Sequence, residues 1–111
     1  MLIWSGASAA AEIHMPQEIL SVAIFRPLPG KEADALDTMR RLRAALSAGG
    51  YSRDRLYRDS NGEYVVVRHW ESEEARRNAL EDPAVLRALA KLSQEIEIVK
   101  IHERLDEVDL G

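Results

Sequence analysis

Cysteine is absent from this 111-residue chain, which excludes disulfides, thiolate nucleophiles and cysteine-ligated metals. Aromatic residues are scarce, with one Phe, two Trp and three Tyr, so each aromatic on a strand or helix marks its position. No apolar run approaches the roughly 20 residues of a membrane-spanning helix, and no membrane partner is expected. Basic charge is not in excess either. Fifteen Lys and Arg stand against nineteen Asp and Glu, a net charge of -4. Nucleic-acid binding, which needs a concentrated basic surface, is therefore not expected. There is no GxGxxG, Walker loop or GxSxG, so nucleotide binding and hydrolase elbows have no support. His14, His69 and His102 share no metal-ligand spacing, and no metal is expected.

The length suits one domain with a real hydrophobic core. The opening stretch MLIWSGASAAAEIHM has no basic segment ahead of a long apolar run and does not read as a secretory signal. Residues 1 to 17 are read as a tail or an extension, with Met15 as an alternative start and Trp4 as the residue that argues for a docked arm.

From residue 19 the pattern sharpens. ILSVAIFRPL, residues 19 to 28, is β-branched and apolar and reads as a strand ended by prolines. After Pro29-Gly30 a helical stripe takes over: Leu36, Met39, Leu42 and Leu46, with Ala35 and Ala45. Acidic residues early in that helix and arginines later suit its dipole. Gly49-Gly50 stops it. A polar strand over residues 51 to 59 leads through Ser60-Asn61-Gly62, a hairpin turn with Asn and Gly suited to positive φ. It enters EYVVVRHW, residues 63 to 70. Ser72 reads as an N-cap with Glu73 and Glu74 after it. Asp82-Pro83 starts a further helix, with Val85, Leu86, Leu89 and Leu92 as its buried stripe. EIEIVKIHERL, residues 95 to 105, is the last strand.

The order β-α-β-β-α-β, with its second helix broken, predicts an α+β, ferredoxin-like domain with a four-stranded antiparallel sheet. Residues 18 to 105 form that domain and residues 106 to 111 a carboxy-terminal tail. Helices cover only one face of such a sheet, which should then alternate apolar and polar residues. Here strand one offers Val22/Ile24 and Ala23/Phe25, strand three Val66 and Val65/Val67, and strand four Ile96/Ile98 and Val99/Ile101. Both faces are apolar. A second copy of the sheet in a two-fold homodimer is the expected cover.

The layout resembles the antibiotic biosynthesis monooxygenase family of dimeric α+β barrel proteins. The resemblance spans about residues 18 to 105. Its carriers are PGKEADAL, the glycine pair followed by a polar strand, and above all YVVVRHWESEEARRNALEDPAVLRALA. It implies two sheets joined as a barrel across a dimer, with a small cavity in each subunit between sheet and helices. It also implies oxygenation of a small aromatic or quinol without a metal or other cofactor, in a soluble, cytoplasmic protein. An electron-rich phenol, once deprotonated, reduces dioxygen itself if the protein holds it dry and stabilises its anion.

By alternation Tyr64, Val66, Arg68 and Trp70 share one strand face and Val65, Val67 and His69 the other. In the family the Trp face looks toward the helices. Trp70 is then a candidate wall and Arg68 a candidate anion stabiliser, the two candidate catalytic residues. Tyr57, Tyr64, Val66 and Met39 are the candidate substrate-binding residues. Each has a plainer alternative: Trp70 as packing, Arg68 as partner of a helix carboxylate, Tyr64 as a cross-strand packing residue. His69 and His102 read as structural. The sequence departs from family patterns as well. Ala79 and Ala84 stand where quinol-oxidising relatives carry histidines, Val66 where the anthrone branch has Asn, and Ala90 and Ala23 where haem-degrading relatives have His and Asn. The alternative reading is a non-catalytic small-ligand-binding or stress-response dimer of the same fold.

Overall fold

A computed structural model describes residues 18–111; the expectations for Trp4, His14 and Met15 lie outside the described residues. Strand β1 spans Ile19–Pro27, helix α1 Glu32–Ala48, β2 Ser52–Arg58, β3 Tyr64–Trp70, α2 Glu73–Ala79, α3 Pro83–Ser93 and β4 Ile96–Asp106. The four strands form one sheet in the order β2-β3-β1-β4, with every pair antiparallel. This is the expected ferredoxin-like α+β arrangement. No described helix is long and apolar enough to cross a membrane.

Local chemistry explains the boundaries. Gly30, at φ 76°, supplies a left-handed turn ahead of α1 that a side chain would disfavour. Glu32 and Asp34 lie in the first turn of α1, where the dipole favours them. The last turn holds no basic residue, so the dipole argument does not extend to Arg40, Arg41 and Arg43 at mid-helix. In the β2–β3 hairpin Gly62 takes the positive φ, at 84°. The Asp59 carboxylate accepts from the Asn61 and Glu63 amides at 2.8 and 3.0 Å. Ser72 caps α2 through the Ala75 amide, and Asp82 caps α3 through Ala84 with Pro83 in the first turn.

The core lies between the helices and one sheet face. Ala35, Met39, Leu42 and Leu46 of α1, with Val85 and Leu92 of α3, close over Phe25, Tyr64, Val66, Trp70 and Ile96. The 3.6-residue stripe of α1 thus meets the two-residue period of β1 and β3. Leu86, expected in the α3 stripe, is exposed instead.

Strand β4 departs from simple alternation. Between the pairs Ile24↔Lys100 and Phe25↔Ile98, β1 advances one residue and β4 two, and a second shift falls between Leu20 and Val22. Such bulges invert the facing of all that follows. Ile98 pairs with Phe25 and Ile101 with Ala23, so both point to the helix side rather than to opposite faces.

At the far corner the Tyr51 hydroxyl donates to Asp82 at 2.8 Å, joining the end of α1 to the start of α3. Asp82 holds the phenol above its ordinary pKa. The Tyr51 ring passes so close to Gly49 that a β-carbon there would lie 2.2 Å from it. Gly49→Ala is expected to lower stability by about 1–3 kcal/mol through overpacking, read as a lower midpoint in urea denaturation. An unchanged midpoint would show that the ring moves aside at no cost.

Candidate functional site

β3 brings the candidate residues to one face because its side chains alternate. Tyr64, Val66 and Trp70 are buried toward the helices, and Arg68 lies among them with 14% of its side chain exposed. A guanidinium there needs a counter-charge, and Asp54 provides it from β2, directly opposite in register. The Arg68 Nε donates to both Asp54 oxygens at 3.0 Å, and Nη2 donates to Oδ2 at 2.9 Å. The partner is thus a strand carboxylate, not one of the helix carboxylates expected from the sequence. Among the described residues Arg68 Nη1 makes no hydrogen bond. The guanidinium carbon sits 5.7 Å from the Trp70 ring centroid, within cation–π range.

Trp70 is fixed at its other end. Its Nε1–H donates to Ser21 Oγ at 2.8 Å, and Ser21 donates to the Glu103 carbonyl at 2.5 Å. This chain runs β3 to β1 to β4 and locks the indole in one orientation.

Trp70 and Arg68 line a cavity of about 240 Å³ between the sheet and the α2–α3 segment. Ala23, Val66 and Ile101 contribute from the sheet, Leu80 and Leu89 from the helical side, and Glu103 lies at the β4 edge. Sequence reasoning missed Arg76 of α2, which also lines it. The signal was its spacing from Ala79, fully buried on the same short helix. The Arg76 Nε and Nη2 donate to the two Glu73 oxygens at 3.0 and 3.1 Å. Arg104 of β4 also donates to Glu73, at 2.5 Å. These bonds, Arg76 foremost, hold the Glu73 carboxyl below its usual range and push the Arg76 pKa up.

The remaining candidates are not brought to this cavity. Tyr64 stacks on Phe25 with ring centroids 5.5 Å apart, and its hydroxyl donates to Glu32. The carboxylate beside it raises its pKa. Tyr57 pairs with Val65 on the opposite sheet face and is 52% exposed, so odd and even positions of β2 separate it from Asp54. Met39 lines a second, smaller cleft under α1, with Asp54 and Leu56. Val66 borders both spaces. His69 lies on the outer face, its Nδ1 2.8 Å from a Glu18 carboxylate oxygen. No group of three or more potential metal ligands occurs among the described residues.

Chemically, the cavity offers an oriented indole wall, aliphatic side chains, the guanidinium groups of Arg68 and Arg76 and, at its edge, the Glu103 carboxylate. That suits a flat aromatic molecule carrying a polar oxygen.

The family model described as antibiotic biosynthesis monooxygenase matches residues 19–91. Among solved structures, SnoaB, a cofactor-independent oxygenase from Streptomyces nogalater, is 21% identical with a TM-score of 0.69; the match covers 86% of this chain and 95% of SnoaB. A Mycobacterium tuberculosis protein is 18% identical with a TM-score of 0.65, over 83% of this chain and 99% of that one. A Bacteroides thetaiotaomicron protein is 11% identical with a TM-score of 0.71, over 84% and 100%. At these identities the structural likeness shows the fold alone. No curated protein matches the chain.

Removing the counter-charge tests the site's architecture. Asp54→Ala is expected to cost about 3–5 kcal/mol, because Arg68 is left buried and unpaired. The double variant Asp54→Leu/Arg68→Met should recover most of that loss in thermal denaturation. A single variant as stable as the parent would mean that Arg68 reaches water without its partner.

Proposed function

Because the chain belongs to the antibiotic biosynthesis monooxygenase family, we propose that it is a cofactor-independent monooxygenase of a small aromatic or quinol substrate bound in the cavity beside Trp70. The observation that carries this reading is the juxtaposition in that cavity of a fixed indole and a guanidinium edge. The ring of the substrate stacks against Trp70, and Arg68 Nη1 donates to the oxygen that becomes anionic. A donor placed where charge develops, in a site poor in water, is worth far more than in solution.

The redox chemistry balances without an added reductant. The deprotonated substrate gives electrons to dioxygen, and a carbon–oxygen bond forms at the ring. Loss of water from the resulting hydroperoxide leaves a quinone carbonyl. One oxygen atom is retained and the other leaves as water. Of the described residues lining the cavity, Glu103 is the one carboxylate, and in this reading it takes the first proton at the cavity's edge.

A second reading rests on a different observation. Among the described residues the cavity lining contains no histidine, and Ala79, where some relatives carry one, is buried alanine. The protein then binds the same kind of aromatic without turning it over. Dioxygen uptake by metal-stripped protein, against a panel of quinols and anthrones, separates the two. Uptake is expected, with Trp70→Ala lowering it at least about tenfold and Arg68→Gln/Asp54→Asn lowering kcat by about 100-fold. Binding without uptake would establish the second reading instead.

The working unit in either reading is a homodimer. On the face away from the helices, Leu20, Val22 and Ile24 of β1 lie beside Val65 and Val67 of β3, and Tyr57 and Leu105 of the outer strands are exposed. A two-fold copy covers such a face with its own equivalent. Sedimentation is expected to give a dimer, and Val67→Lys at the centre of the face a folded monomer. A parent protein that sediments as a monomer would remove this part of the proposal.

A further inference from the structure

Ser21 is the one hydroxyl residue of β1, set in the otherwise apolar run ILSVAIF. It lies where the second bulge falls. Between the pairs Leu20↔Leu105 and Val22↔His102, β1 supplies only Ser21, whereas β4 supplies both Glu103 and Arg104. In a plain strand, neighbouring side chains point to opposite faces. Here both go to the helical side: Glu103 lines the cavity, and Arg104 donates to Glu73 of α2. Leu105 then returns to the outer face beside Leu20. The extra residue of the bulge is what allows this.

A bulge disrupts the ladder locally, and the backbone groups it displaces need other partners. Ser21 supplies one by donating to the Glu103 carbonyl at 2.5 Å, and the same oxygen accepts from Trp70 Nε1 at 2.8 Å. An indole N–H only donates and a carbonyl only accepts, so a group joining them must do both. A hydroxyl does so with a single atom. Ser21 also pairs with Arg68 across the sheet and itself lines the cavity.

We infer that Ser21 is a positioning residue whose hydroxyl fixes the β4 bulge and the Trp70 ring together, so that Glu103 and the indole face one cavity in a set relation. Its functional meaning rests on the monooxygenase reading, in which the substrate ring stacks on Trp70 and Glu103 takes the first proton. Ser21 then sets the distance between stacked ring and proton acceptor, acting through those two residues. The same bulge steadies Arg76, since Arg104 holds the Glu73 carboxylate that Arg76 grips.

Two measurements without turnover test this. Near-ultraviolet circular dichroism reports whether an indole is held in one orientation, and amide exchange followed by mass spectrometry reports opening of β4. With Trp4→Phe throughout, Trp70 is the one indole left of the two. Ser21→Ala is expected to lose most of the Trp70 band. It should also speed exchange of residues 101–105 at least about tenfold, as one lost hydrogen bond implies, while α1 exchanges as in the parent. Ser21→Thr should restore both signals, its added methyl having the cavity to enter. Ser21→Cys, similar in shape but a weak hydrogen-bonding group, should behave like Ser21→Ala and takes its place if the alanine variant does not fold. A retained band with unchanged exchange, failure of threonine to restore either signal, or faster exchange spread equally over α1 would overturn the inference. In dioxygen uptake Ser21→Ala should lower kcat at least about tenfold with little change in KM. A parent protein without uptake would end the monooxygenase reading alone, because dichroism and exchange still decide the role of Ser21.

Discussion

A charged group placed among apolar side chains must bring its partner with it, and the Asp54–Arg68 pair is where this protein meets that demand. The two residues are opposite one another on neighbouring strands, so the ion pair also fixes which register of β2 against β3 is tolerable. A slip of one residue would send Asp54 to the outer face and leave Arg68 alone beneath the helices. Around this pair the site divides in two. Arg68 looks into the cavity with Trp70, Asp54 looks into the cleft with Met39, and Val66 is the wall between. Register, core and cavity therefore rest on one contact of three hydrogen bonds.

The orientation of Trp70 is secured in a complementary way. Its ring is pinned by a hydrogen bond to Ser21, whose own hydroxyl is satisfied by a backbone carbonyl of β4. Three strands thus meet at one indole. Sites built on strands hold their geometry more closely than sites on loops, and here the sheet supplies both the wall and one of the charges. The helical side contributes what differs in character: aliphatic bulk from Leu80 and Leu89, and a second charge from Arg76.

Much of this was legible in the sequence, and the limits follow physical lines. The alternation of EYVVVRHW placed Tyr64, Val66, Arg68 and Trp70 on one face, and the structure buries that face toward the helices. Caps at Ser72 and Asp82 were readable because their chemistry is local. What depended on pairing was not. Tyr57 was assigned to the cavity because its strand's facing is set only once Asp54 is known to oppose Arg68. Tyr64 lay on the right face, but its hydroxyl belongs to Glu32, a contact between residues distant in sequence. Arg76 was overlooked because a seven-residue helix carries too few residues to display a stripe. The facing of Ile101 was hidden by bulges that only the partner strand reveals.

Those bulges also govern how such a cavity changes over time. The match to the family model ends at residue 91, before β4 begins at Ile96, yet β4 supplies Ile101 and Glu103 to the cavity. Beyond Ile96 that strand is exposed, with little of the core resting on it. Gaining or losing one residue at a bulge would therefore exchange the side chains along this wall, turning Lys100 or His102 inward in place of Ile101, while the packing of α1 against β1 and β3 stayed as it is. Insertions and deletions in β4 are thus a route to new ligands that the rest of the molecule tolerates, and relatives with the same core can diverge most at this one edge.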